Sequence, residues 1–165
     1  MKAKSLPAKL NRHVINNRQS KAIREMIKTN KLPVNIIDLL PGAGDYLKTH
    51  PKVIFSYLFG GLAKHQPLPL SDVDIAVYLK QGSNFAECKL DILGRLMDIL
   101  HTDEIDLVIL NKADISLVIN IIKSKKIIVD KNPFERHVFE SLIMRKSFDL
   151  SFMELKQLRR RYLHG

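Results

Sequence analysis

The sequence predicts an α/β (α+β) fold, and three observations carry that reading. Apolar runs of strand length, Val53–Phe59, Ile75–Leu79 and Glu104–Leu110, alternate with longer segments of helical period such as Asn84–His101. The first two runs are joined through the pair Gly60-Gly61 and a short polar segment holding two prolines. The second run opens on Asp72-Val73-Asp74, two carboxylates at strand spacing.

In chain order, residues 1–16 are polar and basic and read as an arm. Asn17–Thr29 reads as a helix with Ala22, Ile23, Met26 and Ile27 on its apolar side. Leu32–Leu40 reads as a further short helix, ended by Pro41-Gly42. This divides the chain into a basic N-terminal arm with helices, 1–41, and a main domain, 42–165. Ala43–His50 is expected to be helical up to Pro51. Val53–Phe59 is almost wholly apolar, as suits a strand buried on both faces. In Asn84–His101, Leu90, Leu93, Met97 and Leu100 form the expected core stripe. Glu104–Leu110 is a third strand, and Asn111–Ile122 a helix with Ile115, Val118, Ile119 and Ile122 inward. Ile127–Val129 is a short strand. Asn132-Pro133-Phe134-Glu135 is a helix start, with Asn as cap, Pro at the first position and Glu at the third. That helix is expected to reach Lys146, and a second, Ser151–Leu163, to follow it.

Composition narrows the function classes. At 45% hydrophobic and 27% charged, the 165 residues have the makeup of a globular domain with a core. No apolar run approaches the ~20 residues of a membrane span, and the N-terminus lacks a signal-peptide core. The single cysteine, Cys88, forms no internal disulfide, which fits a reducing cytoplasm. The histidines show no paired ligand spacing on one helix. The net charge of +10 is uneven: residues 1–31 carry +8, residues 32–130 carry −2 and residues 131–165 carry +4. Basic ends attract a triphosphate, an acidic partner or RNA; the plainer alternative is a solvated surface.

Residues two apart on a strand share a face, so Asp72 and Asp74 point together while Val73, Ile75 and Val77 point away. Like charges held this close repel unless a cation lies between them, and Mg²⁺ prefers hard oxygen ligands together with phosphate. Gly60 and Gly61 let the backbone approach a phosphate closely. A phosphate cradle beside a carboxylate pair points to nucleotidyl or phosphoryl transfer. Asp106 interrupts an apolar strand, and is either a surface acid at a strand start or a third carboxylate of the site.

The spacing Gly60-Gly61, ten residues (Leu62–Ser71), then Asp72-Val73-Asp74 resembles the signature of the polymerase-β-type nucleotidyltransferase superfamily, with Gly61 where the family usually has Ser. The flanking text Y-L-F-G-G-L-A-K and P-L-S-D-V-D-I-A-V-Y-L resembles the minimal nucleotidyltransferase (MNT) branch, over about Asp45–Asp149. The resemblance implies a small mixed sheet flanked by helices. It implies catalytic and metal-binding roles for Asp72, Asp74 and Asp106 around Mg²⁺, two ions in all, with Asp106 orienting the attacking hydroxyl. It implies nucleotide-binding roles for Gly60 and Gly61, for Lys64, where the family often has Arg, and for Ser71. It further implies an antitoxin that transfers AMP from ATP to a tyrosine of a HEPN-type ribonuclease toxin. The alternatives are an antitoxin that acts by binding alone, and a nucleotidyltransferase acting on a small molecule or on RNA.

Overall fold

A computed structural model describes residues 32–64 and 72–163, with side chains described as far as residue 148. The helix expected over residues 17–29 lies outside the described residues.

The first element, helix α1, spans Ile36–Thr49. It runs straight through Pro41, where a helix end was expected. Proline removes one N–H bond from the helix. The carbonyl that would accept it belongs to Ile37, which is 60% exposed and can be hydrated. Ile36, Ala43 and Leu47 lie on the buried side of α1, so packing holds the helix across the proline.

Four strands follow, separated by helices: β1 Val53–Leu58, α2 Gly60–Ala63, β2 Val73–Leu79, α3 Phe85–Leu100, β3 Ile105–Ile109, α4 Ile115–Ser124, β4 Lys126–Asp130 and α5 Pro133–Leu163. The sheet order is β3-β2-β1-β4. The β1 strand pairs antiparallel with both β2 and β4, whereas β2 and β3 are parallel. The sheet is therefore mixed, as the family resemblance implied. No described helix is long and apolar enough to cross a membrane.

Strand alternation divides the core in two. Val73, Ile75, Val77 and Leu79 pack on one face with Ala43 and Leu47 of α1 and Ile92, Leu96 and Leu100 of α3. Phe55, Tyr57 and Ala76 pack on the other with Val118, Ile119 and Ile121 of α4 and Ile143 of α5. Phe55 stacks on Tyr78, with ring centroids 4.6 Å apart, and Phe139 of α5 closes the cluster. Fully burying an aromatic of this size is worth about 1.5–3 kcal/mol, and half-buried Phe139 ties α5 to the sheet through part of that gain.

Of the expected core stripe of α3, Leu100 is buried and Leu93 packs against the core, whereas Leu90 is corrected. Leu90 is 71% exposed, and the buried positions are Ile92, Leu96 and Leu100. Both sets have helical spacing, and the sheet and α1 select between them. The α4 helix starts later than expected because Asn111 serves the sheet instead. Its side-chain amide accepts from Leu79 N and donates to Leu79 O, both at 2.8 Å, extending the ladder beyond β3. Asp114 then caps α4 by accepting from Ser116 N at 2.8 Å.

The two expected C-terminal helices are one continuous helix, α5. Its start is as read, with Asn132 accepting from Glu135 N at 3.2 Å. The junction Ser147-Phe148-Asp149-Leu150 contains neither glycine nor proline to stop it.

Beneath α5 lies a polar cluster that the sequence did not announce. The Tyr57 hydroxyl donates to Glu140 Oε1 at 2.7 Å, and Lys125 Nζ and Arg136 reach the same oxygen at 2.8 and 3.0 Å. Arg136 Nε also donates to Asp130 Oδ2 at 2.9 Å. Burial pushes the Glu140 carboxyl up, but the bonds from Lys125, Tyr57 and Arg136 outweigh it and hold it below its ordinary value of 4.5. A carboxyl depressed in the folded state contributes stability that is present above pH 4.5 and lost as pH falls below it. Glu140→Gln should therefore cost about 1–2 kcal/mol at neutral pH; the loss is limited because Arg136 keeps Asp130. It should also flatten the decline in stability below pH 4.5, as read by urea melts across that range. A variant with the wild-type acid slope would assign that slope to other carboxyls.

Candidate active site

The site is built where β2 and β3 begin. Asp72 immediately precedes β2 and Asp74 is its second residue. Asp74 shares its strand face with Ala76 and Tyr78, which belong to the α4–α5 side of the core. The odd-numbered residues Val73 to Leu79 fill the opposite side, as alternation required. In the parallel pairing of β2 with β3, Asp106 stands directly opposite Asp74. That register is held by Val73 N donating to Glu104 O at 2.9 Å. Asp106 thus lies beside the carboxylate pair, on a neighbouring strand. Asp72 and Asp74 are half-buried, and Asp106 is exposed.

The glycine turn is anchored to the same strand. Phe59 N donates to Asp74 O at 3.0 Å. Gly60 follows with φ +68°, in the left-handed region that favours glycine. Its α-carbon faces the Asp74 side chain so closely that a β-carbon would overlap the carboxylate, 2.8 Å from Cγ. Gly61 lies inside the short helix α2, which buried Leu62 pins to the core. Lys64 caps the C-terminus of α2 and is exposed. Ser71 lies outside the described residues.

Asp74, Asp106, Gly60 and Gly61 are thus drawn to one end of the sheet, with Asp72 on the same strand face as Asp74. Among the described residues no three His, Cys, Asp or Glu side chains converge closely enough to hold a metal ion. The backbone assembles the carboxylates without gathering their side chains into a metal cluster.

Beside Asp106 runs a cleft of about 440 Å³, lined among others by Phe85, Lys89, Lys112 and Leu117. The sequence did not single these residues out. Lys89 lies on α3, and only the packing of that helix beside β3 brings it to the cleft.

The family described as polymerase beta, nucleotidyltransferase, matches residues 43–134. Among solved structures, a toxin–antitoxin complex with AMP-PNP holds a chain 22% identical to this one, covering 79% of this chain and 94% of its own length, with a TM-score of 0.52. The complex of tri-AMPylated Shewanella oneidensis HEPN toxin with MNT antitoxin holds another, 19% identical, covering 77% and 95%, with a TM-score of 0.52. A third, from the toxin–antitoxin MntA-HepT, is 21% identical over 77% and 96%, again with a TM-score of 0.52. At these identities the likeness is one of fold. No curated protein matches the chain.

Proposed function

The chain belongs to the polymerase beta nucleotidyltransferase family, and from that premise we propose that it transfers AMP from ATP to a tyrosine hydroxyl of a HEPN-type toxin and so acts as that toxin's antitoxin in the cytoplasm. The observation that carries the reading is the register of Asp106 opposite Asp74, with the Gly60 turn packed on Asp74. The fold shared with chains of HEPN–MNT complexes, one of them tri-AMPylated, supports the acceptor.

On this reading the backbone at Gly60 and Gly61 holds the β- and γ-phosphates, and Lys64 and Ser71 add a charge and a hydroxyl. The tyrosine oxygen attacks the α-phosphorus. A new O–P bond forms, the bond to pyrophosphate breaks, and the tyrosine proton passes to the Asp106 carboxylate. The donor set suits a hard divalent cation, being carboxylates alone at the starts of adjoining strands. Asp72, Asp74 and Asp106 would hold Mg²⁺, as two ions, which when bound neutralises charge on the triphosphate and leaving group. The basic charge of the N-terminal arm, +8 over residues 1–31, takes no part in the chemistry and serves encounter with the acceptor protein.

Transfer of radiolabel from α-labelled ATP to a co-expressed HEPN-type neighbour tests the reading. Neutralisation of that neighbour without label would replace it with inhibition by binding.

The Gly61 departure gives a second test. Gly61 is a helical residue of α2, where serine takes its normal backbone angles. Gly61→Ser should add one hydrogen bond to phosphate, worth about 0.5–1.5 kcal/mol, and lower the KM for ATP by up to roughly tenfold. An unchanged KM would mean that position 61 does not touch the phosphates.

A further inference from the structure

Helix α5 is apolar on two sides. Phe139 and Ile143 face the sheet and pack in its core, and Arg136 and Glu140 join the polar cluster on that same side. Phe134, Val138, Leu142 and Phe148 stand away from them and are 78%, 52%, 47% and 71% exposed. At 3.6 residues per turn, positions 134, 138, 142, 145 and 148 run as one stripe on the side away from Ile143. The stripe is about 21 Å long at a rise of 1.5 Å per residue. Scattered exposed apolar residues are ordinary, but a contiguous stripe marks a surface that another molecule covers.

The stripe is not flat. Phe134, His137, Val138, Ser141, Leu142 and Arg145 line a hollow of about 320 Å³, which suits a protruding side chain better than a bilayer surface. The polar members of that lining are His137, Ser141 and Arg145, with no acid among them. The peptide groups of α5 bond within the helix, so an occupant must satisfy its own backbone. A helix does so and an extended chain does not. Two helices meet by setting the side-chain ridges of one between those of the other, and a straight stripe with a hollow fits that packing. Charge then selects among helices. A second copy of this face would bring the same Arg145 and His137 to the interface, and like charges across an interface cost affinity. An acidic helix meets them with opposite charge.

We infer that the outward face of α5 docks an acidic amphipathic helix of the acceptor protein. The apolar side of that helix lies on Phe134, Val138, Leu142 and Phe148, and its acidic residues reach toward Arg145 and His137. That the helix belongs to the acceptor rests on the reading above; helix docking rests on the face alone. This surface is on a different element from Asp72, Asp74 and Asp106. It holds the acceptor, and the site at the starts of β2 and β3 does the chemistry.

The test uses the full chain and a Val138→Glu, Leu142→Glu variant. Both side chains are about half exposed, so the variant should keep the wild-type melting temperature and ATP affinity. Should it melt early, Phe134→Ala, at a position 78% exposed, takes its place. The first probe, without nucleotide, is a fluorescent peptide of about fourteen residues with Leu at helical spacing and Glu elsewhere, too short to be a stable helix alone. It should gain helical circular dichroism on binding, and bind the variant at least about a hundredfold more weakly. Its Leu/Lys counterpart should bind the wild-type chain at least about tenfold more weakly than the acidic peptide does. Equal binding of the two peptides, equal binding by the two chains, or tighter binding of a peptide of residues 17–29 of this chain would each overturn the proposal. So would a wild-type dimer in sedimentation that the variant abolishes, or binding of phosphatidylserine vesicles but of neither peptide. With the purified HEPN-type neighbour, ATP and Mg²⁺, the variant should transfer label more slowly at low concentrations of the neighbour and at the wild-type rate when it is saturating. Weaker binding of the neighbour by the variant, with no label from either chain, would support the docking and overturn the transfer. Label from both chains alike at every concentration would leave the catalytic reading standing and overturn the docking. A wild-type chain that binds the acidic peptide but not the neighbour would overturn the acceptor as the source of the helix.

Discussion

Replacing Asp72 and Asp74 together by Asn should lower AMP transfer by at least about a thousandfold, roughly 4 kcal/mol of transition-state stabilisation, while the fold stands. Asn keeps the size of each side chain and removes its charge. The charge is what a triphosphate-bound cation requires, and cation stabilisation of a transferring phosphoryl group is worth several kcal/mol. Stability should change far less. The core contribution of β2 comes from Val73, Ile75, Val77 and Leu79, which lie on the other face of the strand and are essentially buried. The Asp74 main chain would still accept from Phe59 N and hold the glycine turn. Single-turnover label transfer and a thermal melt, run on one preparation, check both halves. Transfer at the wild-type rate by a folded double variant would remove these carboxylates from the chemistry. A variant that unfolds would show that they belong to the structure of the turn.

The carboxylate face was legible because strand alternation is a local rule: Asp72, Asp74 and the intervening Val73 assign both faces of β2 without knowledge of its neighbours. The partnership of Asp74 with Asp106 was not legible in any local pattern and came only from the family resemblance. Thirty-odd residues separate them, and their adjacency depends on parallel register, which local pattern leaves open. The same limit explains α3, where Leu90 and Ile92 both fit a helical stripe and only tertiary contact buries the second. Pro41 was read as a stop because proline costs a helix one hydrogen bond; contacts of Ala43 and Leu47 with the sheet outweigh that cost. The Tyr57–Glu140 cluster joins residues 83 positions apart and has no signature in the sequence beyond the helical spacing of Arg136 and Glu140. Position 61 drew attention because it departs from a motif, yet the sterically constrained glycine is its neighbour.

That contrast gives the second large effect, Gly60→Ala. An alanine at φ +68° occupies the left-handed region, which costs an L-residue roughly 1–2 kcal/mol. Its methyl group would also land on the Asp74 carboxylate, 2.8 Å from Cγ and 3.3 Å from Cβ. The turn cannot easily retreat, because Phe59 N is bonded to Asp74 O at 3.0 Å and Leu62 is buried just beyond. The Asp74 side chain must therefore rotate away or the strand start must shift, and either displaces the acid that faces Asp106. A misplacement of about 1 Å at a reacting centre can cost on the order of a hundredfold in rate. Gly60→Ala should thus lose about a hundredfold or more in transfer rate and about 1–2 kcal/mol of stability, while Gly61→Ser, one residue on, should improve nucleotide binding. Urea melts and label-transfer rates of the two variants, measured side by side, distinguish a steric requirement at Gly60 from a general need for flexibility in the turn. If flexibility were the requirement, both substitutions would slow transfer. If Gly60 serves the Asp74 carboxylate, only the first does.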